Sequence, residues 1–145
     1  VFAGPASGGP ATPTFRALTA ADITAALNYQ EVSSTTTIAA FSSGSYTVVT
    51  SMTSTPAAGT YQVSFSSSMT PSTTSGVFQY AIHKAAVIVT HSRRTAGSFN
   101  GYFTLQTQAV VTVNGSEAID IRWRKSAGSG SGDMFERSIF LLRIA

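Results

Sequence analysis

Residues Gly101–Lys125 read GYFTLQTQAVVTVNGSEAIDIRWRK, and the way this stretch folds constrains everything around it. Two β-rich runs flank Asn114-Gly115. That dipeptide suits a two-residue type I′ loop because both of its residues tolerate positive φ. After it the pattern has period two. Ile119, Ile121 and Trp123 fall on one side, Ala118, Asp120, Arg122 and Arg124 on the other. Alternation of this kind belongs to a strand with one face in a core. The expectation is a hairpin of two half-buried strands, with Ile119, Ile121 and Trp123 as core residues.

Working outward, the text from Thr35 on is wholly β. Candidate strands are Thr35–Ala40, Tyr46–Thr55, Gly59–Ser67, Val77–His83, Val87–Arg93, Tyr102–Val113, Ala118–Lys125 and Glu136–Ile144. About eight short strands separated by turn signals predict an all-β antiparallel sandwich. No βαβ alternation occurs, which argues against a parallel sheet. Residues 1–32 differ in kind. Val1–Arg16 is dense in Gly, Pro, Ala and Ser and reads as an arm or linker. Thr19 with Asp22 three residues on resembles a capping box, so Ala20–Asn28 is expected as a short helix or an irregular arm. The domain boundary is placed at residue 33, with the sandwich over 33–145.

Composition narrows the function classes. Only 10% of the 145 residues are charged, against about 25% in an average protein. With 43% hydrophobic residues, burial of apolar surface between subunits is expected. The formal charge is +3, but the nine Lys and Arg residues are dispersed and not interleaved with aromatics, which argues against nucleic acid. There is no cysteine, hence neither a disulfide nor a thiolate metal site. No apolar run approaches the roughly 20 residues of a membrane helix, so no membrane insertion is expected. The chain starts at Val1 without Met and is expected to be a piece of something longer.

Catalytic motifs are missing. Gly128–Gly132 reads GSGSG, with Gly where a G-x-S-x-G elbow places Ser. His83 and His91 would be out of register across a turn near Ala85 and so would not share a metal, although a three-fold axis could gather three copies of one of them. Asp133 and Glu136 lie near one loop end, but no insertion builds the cleft that paired carboxylates of a glycosidase need. The expectation is a non-enzyme without cofactor or metal.

Two resemblances add to this. Phe2–Ile23, FAGPASGGPATPTFRALTAADI, with Phe15-Arg16-Ala17-Leu18 followed by Ala20-Ala21-Asp22-Ile23, resembles a segment of bacteriophage tail fibres and other virion receptor-binding proteins just before the globular tip. The strand order resembles the jelly roll of the tumour-necrosis-factor superfamily and complement globular heads. Gly59-Thr60-Tyr61, Ile119–Trp123 and Ser138–Ile144 carry that likeness, while Val89–Arg94 (VTHSRR) and Ile119–Arg124 (IDIRWR) resemble strands of phage fibre tips, which often use this fold. Lys84-Ala85-Ala86 departs from it, since Asn-Gly is expected in that turn. The resemblances imply a homotrimer on a virion, outside the cell, with an upstream fibre shaft and a host cell-surface glycan or protein as receptor. Trp123, Ile119 and Ile121 would then lie within one sandwich or along the trimer axis.

Antiparallel succession sorts the connections to two ends. Pro56–Gly59, Lys84–Ala86 and Asn114–Ser116 gather at one, Ser68–Gly76, Arg94–Gly101 and Ser126–Met134 at the other. Longer loops are where recognition residues sit. Arg94, Phe99, Asn100, Tyr102 and Asp133 are therefore the candidate receptor contacts: rings to stack on sugars, polar groups for directional hydrogen bonds. The alternative is a trimerisation cap of a virion fibre whose loops bind nothing specific.

Overall fold

A computed structural model of the chain describes residues 2–3, 14–15, 29–97 and 101–145. Two short strands, β1 (Phe2–Ala3) and β2 (Thr14–Phe15), pair antiparallel with each other. The expected helix at Ala20–Asn28 lies outside the described residues, as do Phe99 and Asn100.

The remaining strands are β3 (Tyr29–Ser34), β4 (Ile38–Phe41), β5 (Thr47–Ser54), β6 (Gly59–Pro71), β7 (Val77–Lys84), β8 (Val87–Ile88), β9 (Arg94–Gly97), β10 (Phe103–Val113), β11 (Ile119–Ala127) and β12 (Gly132–Arg143). They form two five-stranded antiparallel sheets. In the first the order is β10-β6-β12-β3, with β4 continuing the β3 edge of β12. In the second it is β5-β11-β7-β8, with β9 continuing the β8 edge of β7. Strands β5, β6 and β7 alternate between the sheets, as do β10, β11 and β12. That is a jelly-roll sandwich. β3 opens at Tyr29, before the expected boundary at residue 33, and pairs with β12 through Tyr29↔Leu142.

The alternating residues of both sheets meet in one core. Tyr61, Val63, Phe65, Met69, Ile139 and Leu141 come from the first sheet; Val49, Met52, Phe78, Ile82, Ile119, Ile121 and Trp123 from the second. Trp123 is 2% exposed and stacks on Phe41 with ring centroids 3.9 Å apart, so it joins the two sheets inside one chain.

Asn114-Gly115 is not a hairpin. β10 pairs with β6, and β11 lies between β5 and β7, so Asn114–Ala118 crosses from one sheet to the other. Both runs bury one face, as expected, but those faces oppose each other across the core instead of lying side by side. Only Gly115 has positive φ (93°), and a Cβ there would stand 3.1 Å from Ala58 N. Asn114 forms an Asx turn, its Oδ1 accepting from Ser116 N at 2.9 Å, while Glu117 Oε2 accepts from Asn114 N at 3.0 Å.

The two-residue hairpin is instead Ala85-Ala86, between β7 and β8, with φ of 46° and 68°. The expected strand Val87–Arg93 is also broken, because β8 ends at Ile88. Ser92 explains the break. Its hydroxyl accepts from Ile82 N at 3.1 Å and lies 3.1 Å from Ile82 O, so a side chain takes the place of a ladder partner for β7. The chain turns through His91 (φ 64°) and resumes as β9.

Candidate binding surfaces

The ends of the sandwich sort the connections as the sequence suggests. At one end Gly115 faces Ala58, and Ala85 N donates to Ala118 O at 2.9 Å, so the β5–β6, β7–β8 and β10–β11 connections touch. Tyr29 and Leu142 lie toward this end too. At the other end the β6–β7 and β11–β12 connections meet.

The contrast in loop length largely disappears. β6 continues to Pro71, β11 to Ala127, and β12 starts at Gly132. The remaining connections Ser72–Gly76 and Gly128–Ser131 are no longer than Asn114–Ala118. The Ser/Thr-rich segment after Ser67 stays extended because β10 and β12 flank it on both sides, through Ser68↔Thr104 and Thr70↔Asp133. Tertiary pairing overrides its weak strand composition.

Those two connections are bonded to each other. Ser72 N donates to Ser131 O at 2.8 Å, Ser131 N to Ser72 Oγ at 2.9 Å, and Thr73 Oγ1 to Ser129 O at 2.9 Å. Gly128 (φ 75°) lies against the Ser75 carbonyl, where any Cβ would collide. The end is laced shut by hydroxyls.

The candidate recognition residues are scattered across this region. Arg94 opens β9 opposite Tyr80, and its Nη1 donates to His91 O at 2.7 Å and Arg93 O at 2.9 Å. Its side chain borders a shallow depression lined by Ser64, Ser66, Gln106, Gln108 and Phe140 on the first sheet. Asp133 lies beside Thr70, and its Oδ1 accepts from Ala40 N at 2.7 Å, fixing a residue with φ 55°. Tyr102 is 74% exposed, its ring centroid 5.4 Å from that of Phe135. Thr70 Oγ1 donates to Gly101 O, which brings Tyr102 and Asp133 to the same corner, whereas Arg94 stands lower on the sandwich side.

The histidines lie apart in the strand plan. His83 is buried opposite Ile88 and Asp120, its Nδ1 3.2 Å from Ala81 O; His91 sits between β8 and β9. Burial pushes the His83 imidazole below its ordinary value, outweighing the opposite pull of the Ala81 carbonyl and Asp120. Among the described residues no cluster of His, Asp and Glu could hold a metal.

The two outward faces differ in charge, which the sequence reading missed. On the first sheet Gln62, Ser64, Ser66 and Ser68 of β6 sit between Thr104, Gln106, Gln108 and Val110 of β10 and Ser138, Phe140 and Leu142 of β12. None is Lys or Arg. Tyr29 stacks on Phe140 at 5.6 Å and is 54% exposed. On the second sheet the outward side holds Arg122, Arg124, Asp120, His83 and Gln79. The signal was present: Gln62-Val63-Ser64-Phe65-Ser66 and Gln106-Thr107-Gln108 put uncharged polar residues on alternate positions, but only the strand pairing sets them on one surface.

This is the architecture of tumour-necrosis-factor-like jelly rolls. The chain is similar to the structure of Eiger TNF from S. frugiperda, with a TM-score of 0.51 at 11% identity over 81% of this chain and 93% of that one. A weaker likeness, at a TM-score of 0.39 and 12% identity, is to the insecticidal delta-endotoxin Cry8Ea1 from Bacillus thuringiensis; it covers 64% of this chain and 19% of that one. No family model matches the sequence, and no curated protein does.

Proposed function

We propose that the chain is the homotrimeric tip of a virion fibre, of the bacteriophage tail-fibre kind, which attaches to a host cell-surface receptor without making or breaking bonds. The observation that carries the trimer is the outward face of β10-β6-β12-β3, whose strands place no Lys or Arg on it and which carries hydroxyls, amides and apolar groups at its middle, with Glu31 at the β3 edge. Beside it, at the sandwich edge, β8 and β10 border one depression that exposes Val87 (69%) and Val110 (61%) next to Lys84. One copy's Val87 edge against the next copy's face of β10-β6-β12-β3 is a heterologous contact, which closes into a trimeric ring where its rotation is a third of a turn. The tumour-necrosis-factor-like fold and the resemblance of Phe2–Ile23 to fibre segments support the same reading. β3 starts at the end opposite the laced loops, so an upstream shaft would leave the Tyr102 and Asp133 corner facing outward. Three copies of a weak contact give avidity on a repeating receptor such as a glycan.

A second reading, a trimerisation cap with no ligand, is favoured by the bonds that already engage Arg94, Asp133 and the Ser72–Ser131 lacing. Attachment of the trimer to host cells, compared with the Tyr102→Ala variant, separates the two. Adhesion through this corner predicts attachment that falls in the variant. A trimer that attaches to no host cell supports the cap, and attachment unchanged by the substitution overturns adhesion through this corner.

A further inference from the structure

Arg122 and Arg124 leave the same face of β11, opposite Ala81 and Gln79 of β7. Their charges meet different partners. Asp120 accepts from Arg122 Nε at 2.7 Å and Nη2 at 3.1 Å, which neutralises that guanidinium. Arg124 donates from Nε at 3.1 Å and Nη2 at 2.9 Å to Gln79 Oε1, a neutral acceptor. Its Cζ stands 4.9 Å from the centroid of the Tyr46 ring. The ion pairs among the described residues are Lys84–Glu117 and Arg122–Asp120, and neither involves Arg124. Two uncharged neighbours thus fix the direction of this guanidinium while its charge stays uncompensated. Its Nη1 donates to nothing among the described residues, and the Gln79 amide adds a further N–H pair beside it.

We propose that this outward face of β5-β11-β7 binds an acidic polysaccharide, with Arg124 holding a carboxylate or sulfate group. A planar guanidinium already oriented loses little freedom on binding such an anion. Val48, exposed opposite Arg122, and the Tyr46 ring offer apolar surface for the C–H faces of sugars. One fixed and uncompensated cation suits a polymer with isolated charges on successive sugars better than a densely charged phosphate backbone. The face lies on the far side of the sandwich from the β10-β6-β12-β3 sheet, so a trimer built on that sheet leaves it open. The proposal is independent of the loop corner and holds for a single chain.

Binding of the chain to immobilised polygalacturonate, dextran sulfate, neutral dextran and single-stranded DNA tests this, with the variants Arg124→Gln, Gln79→Glu and Arg143→Gln. Gln79→Glu keeps the acceptor but neutralises Arg124 in place, and melting curves check that each variant is folded. Expected is binding to the carboxylated or the sulfated polymer, whichever is stronger naming the anion, and none to neutral dextran. Arg124→Gln and Gln79→Glu should each weaken it about tenfold, the loss of one charge-assisted contact. Arg143→Gln should not. Unchanged binding by folded Arg124→Gln overturns the proposal, as does equal binding to neutral dextran. DNA bound as tightly and weakened equally by Arg143→Gln would show general polyanion attraction in its place.

Discussion

Ala85 and Ala86 both occupy the left-handed region, where a side chain with Cβ costs about 1–2 kcal/mol per residue. The fold tolerates this because β7 is held on its other side by β11 along its whole length. Replacing the pair by Asn-Gly should raise stability by about 1–2 kcal/mol, visible as a higher melting temperature; no gain would mean that the turn is not of the I′ kind. Arg137 is the opposite case. Buried at 3% exposure without a carboxylate, it donates to Thr50 O at 3.1 Å, Thr36 O at 2.6 Å, Phe135 O at 3.1 Å and Ser34 Oγ at 3.2 Å. It ties the β3–β4 connection and β5 to β12. Arg137→Met removes four bonds and leaves acceptors unpaired, so a loss on the order of 3 kcal/mol is expected in denaturant titration. Trp123→Ala should cost about 3–5 kcal/mol, since Phe41 and the core around it lose their largest partner.

His83 gives the stability a pH dependence whose sign follows from its depressed folded-state value. The unfolded imidazole, near 6.5, takes up a proton before the folded one does. The unfolded state therefore binds more protons in that window, and stability falls as pH drops below 6.5 toward the folded-state value. Asp120 and Tyr46, which face the ring with Arg122 alongside, stay in place in His83→Gln. That variant should lose part of the decline between pH 7.5 and 5 in thermal melts. An identical decline would assign it to the carboxylates.

At the scale of elements, the class and most strand positions were readable because period-two burial is written locally. Ile119, Ile121 and Trp123 sit inside, and Arg122 and Arg124 outside, as that period requires. Pairing was not readable. Asn-Gly has the chemistry of a hairpin loop, yet β10 and β11 both had better partners elsewhere, and the dipeptide serves a cross-sheet turn. Ala-Ala has no turn chemistry and forms the hairpin all the same. Ser92 could not be recognised as a strand breaker, because its effect depends on Ile82, ten residues away in sequence and adjacent only in the fold. Ser92→Val keeps the strand-like sequence but leaves the Ile82 N–H without its partner. Faster amide exchange at Ile82 is the expected result, and unchanged protection would show that the hydroxyl is dispensable.

The same limit holds for the site. Asp133 and Arg94 were chosen by residue type and loop position, and neither criterion foresees that Asp133 holds Ala40 N or that Arg94 turns onto two carbonyls of its own segment. Tyr102, expected to open its strand, instead precedes β10, and that position leaves it exposed. The Arg124, Gln79 and Tyr46 group joins three segments far apart in sequence and leaves no local trace.

For the whole molecule, the decisive property is the uneven placement of few charges. The low charged fraction that hinted at subunit burial resolves into one sheet face without Lys or Arg and another that carries Arg122 and Arg124. A monomer has no need of that asymmetry; the proposed ring would bury the first face and present the second. Ser66, exposed at the middle of the first face, is the place to interrupt it. Sedimentation equilibrium of the chain and of Ser66→Arg is the most direct test. The expected result is a particle of three 15.1 kDa chains for the natural sequence and a folded single chain for the variant. A stable monomer of the natural sequence at micromolar concentration, or a trimer indifferent to Ser66→Arg, would contradict the account.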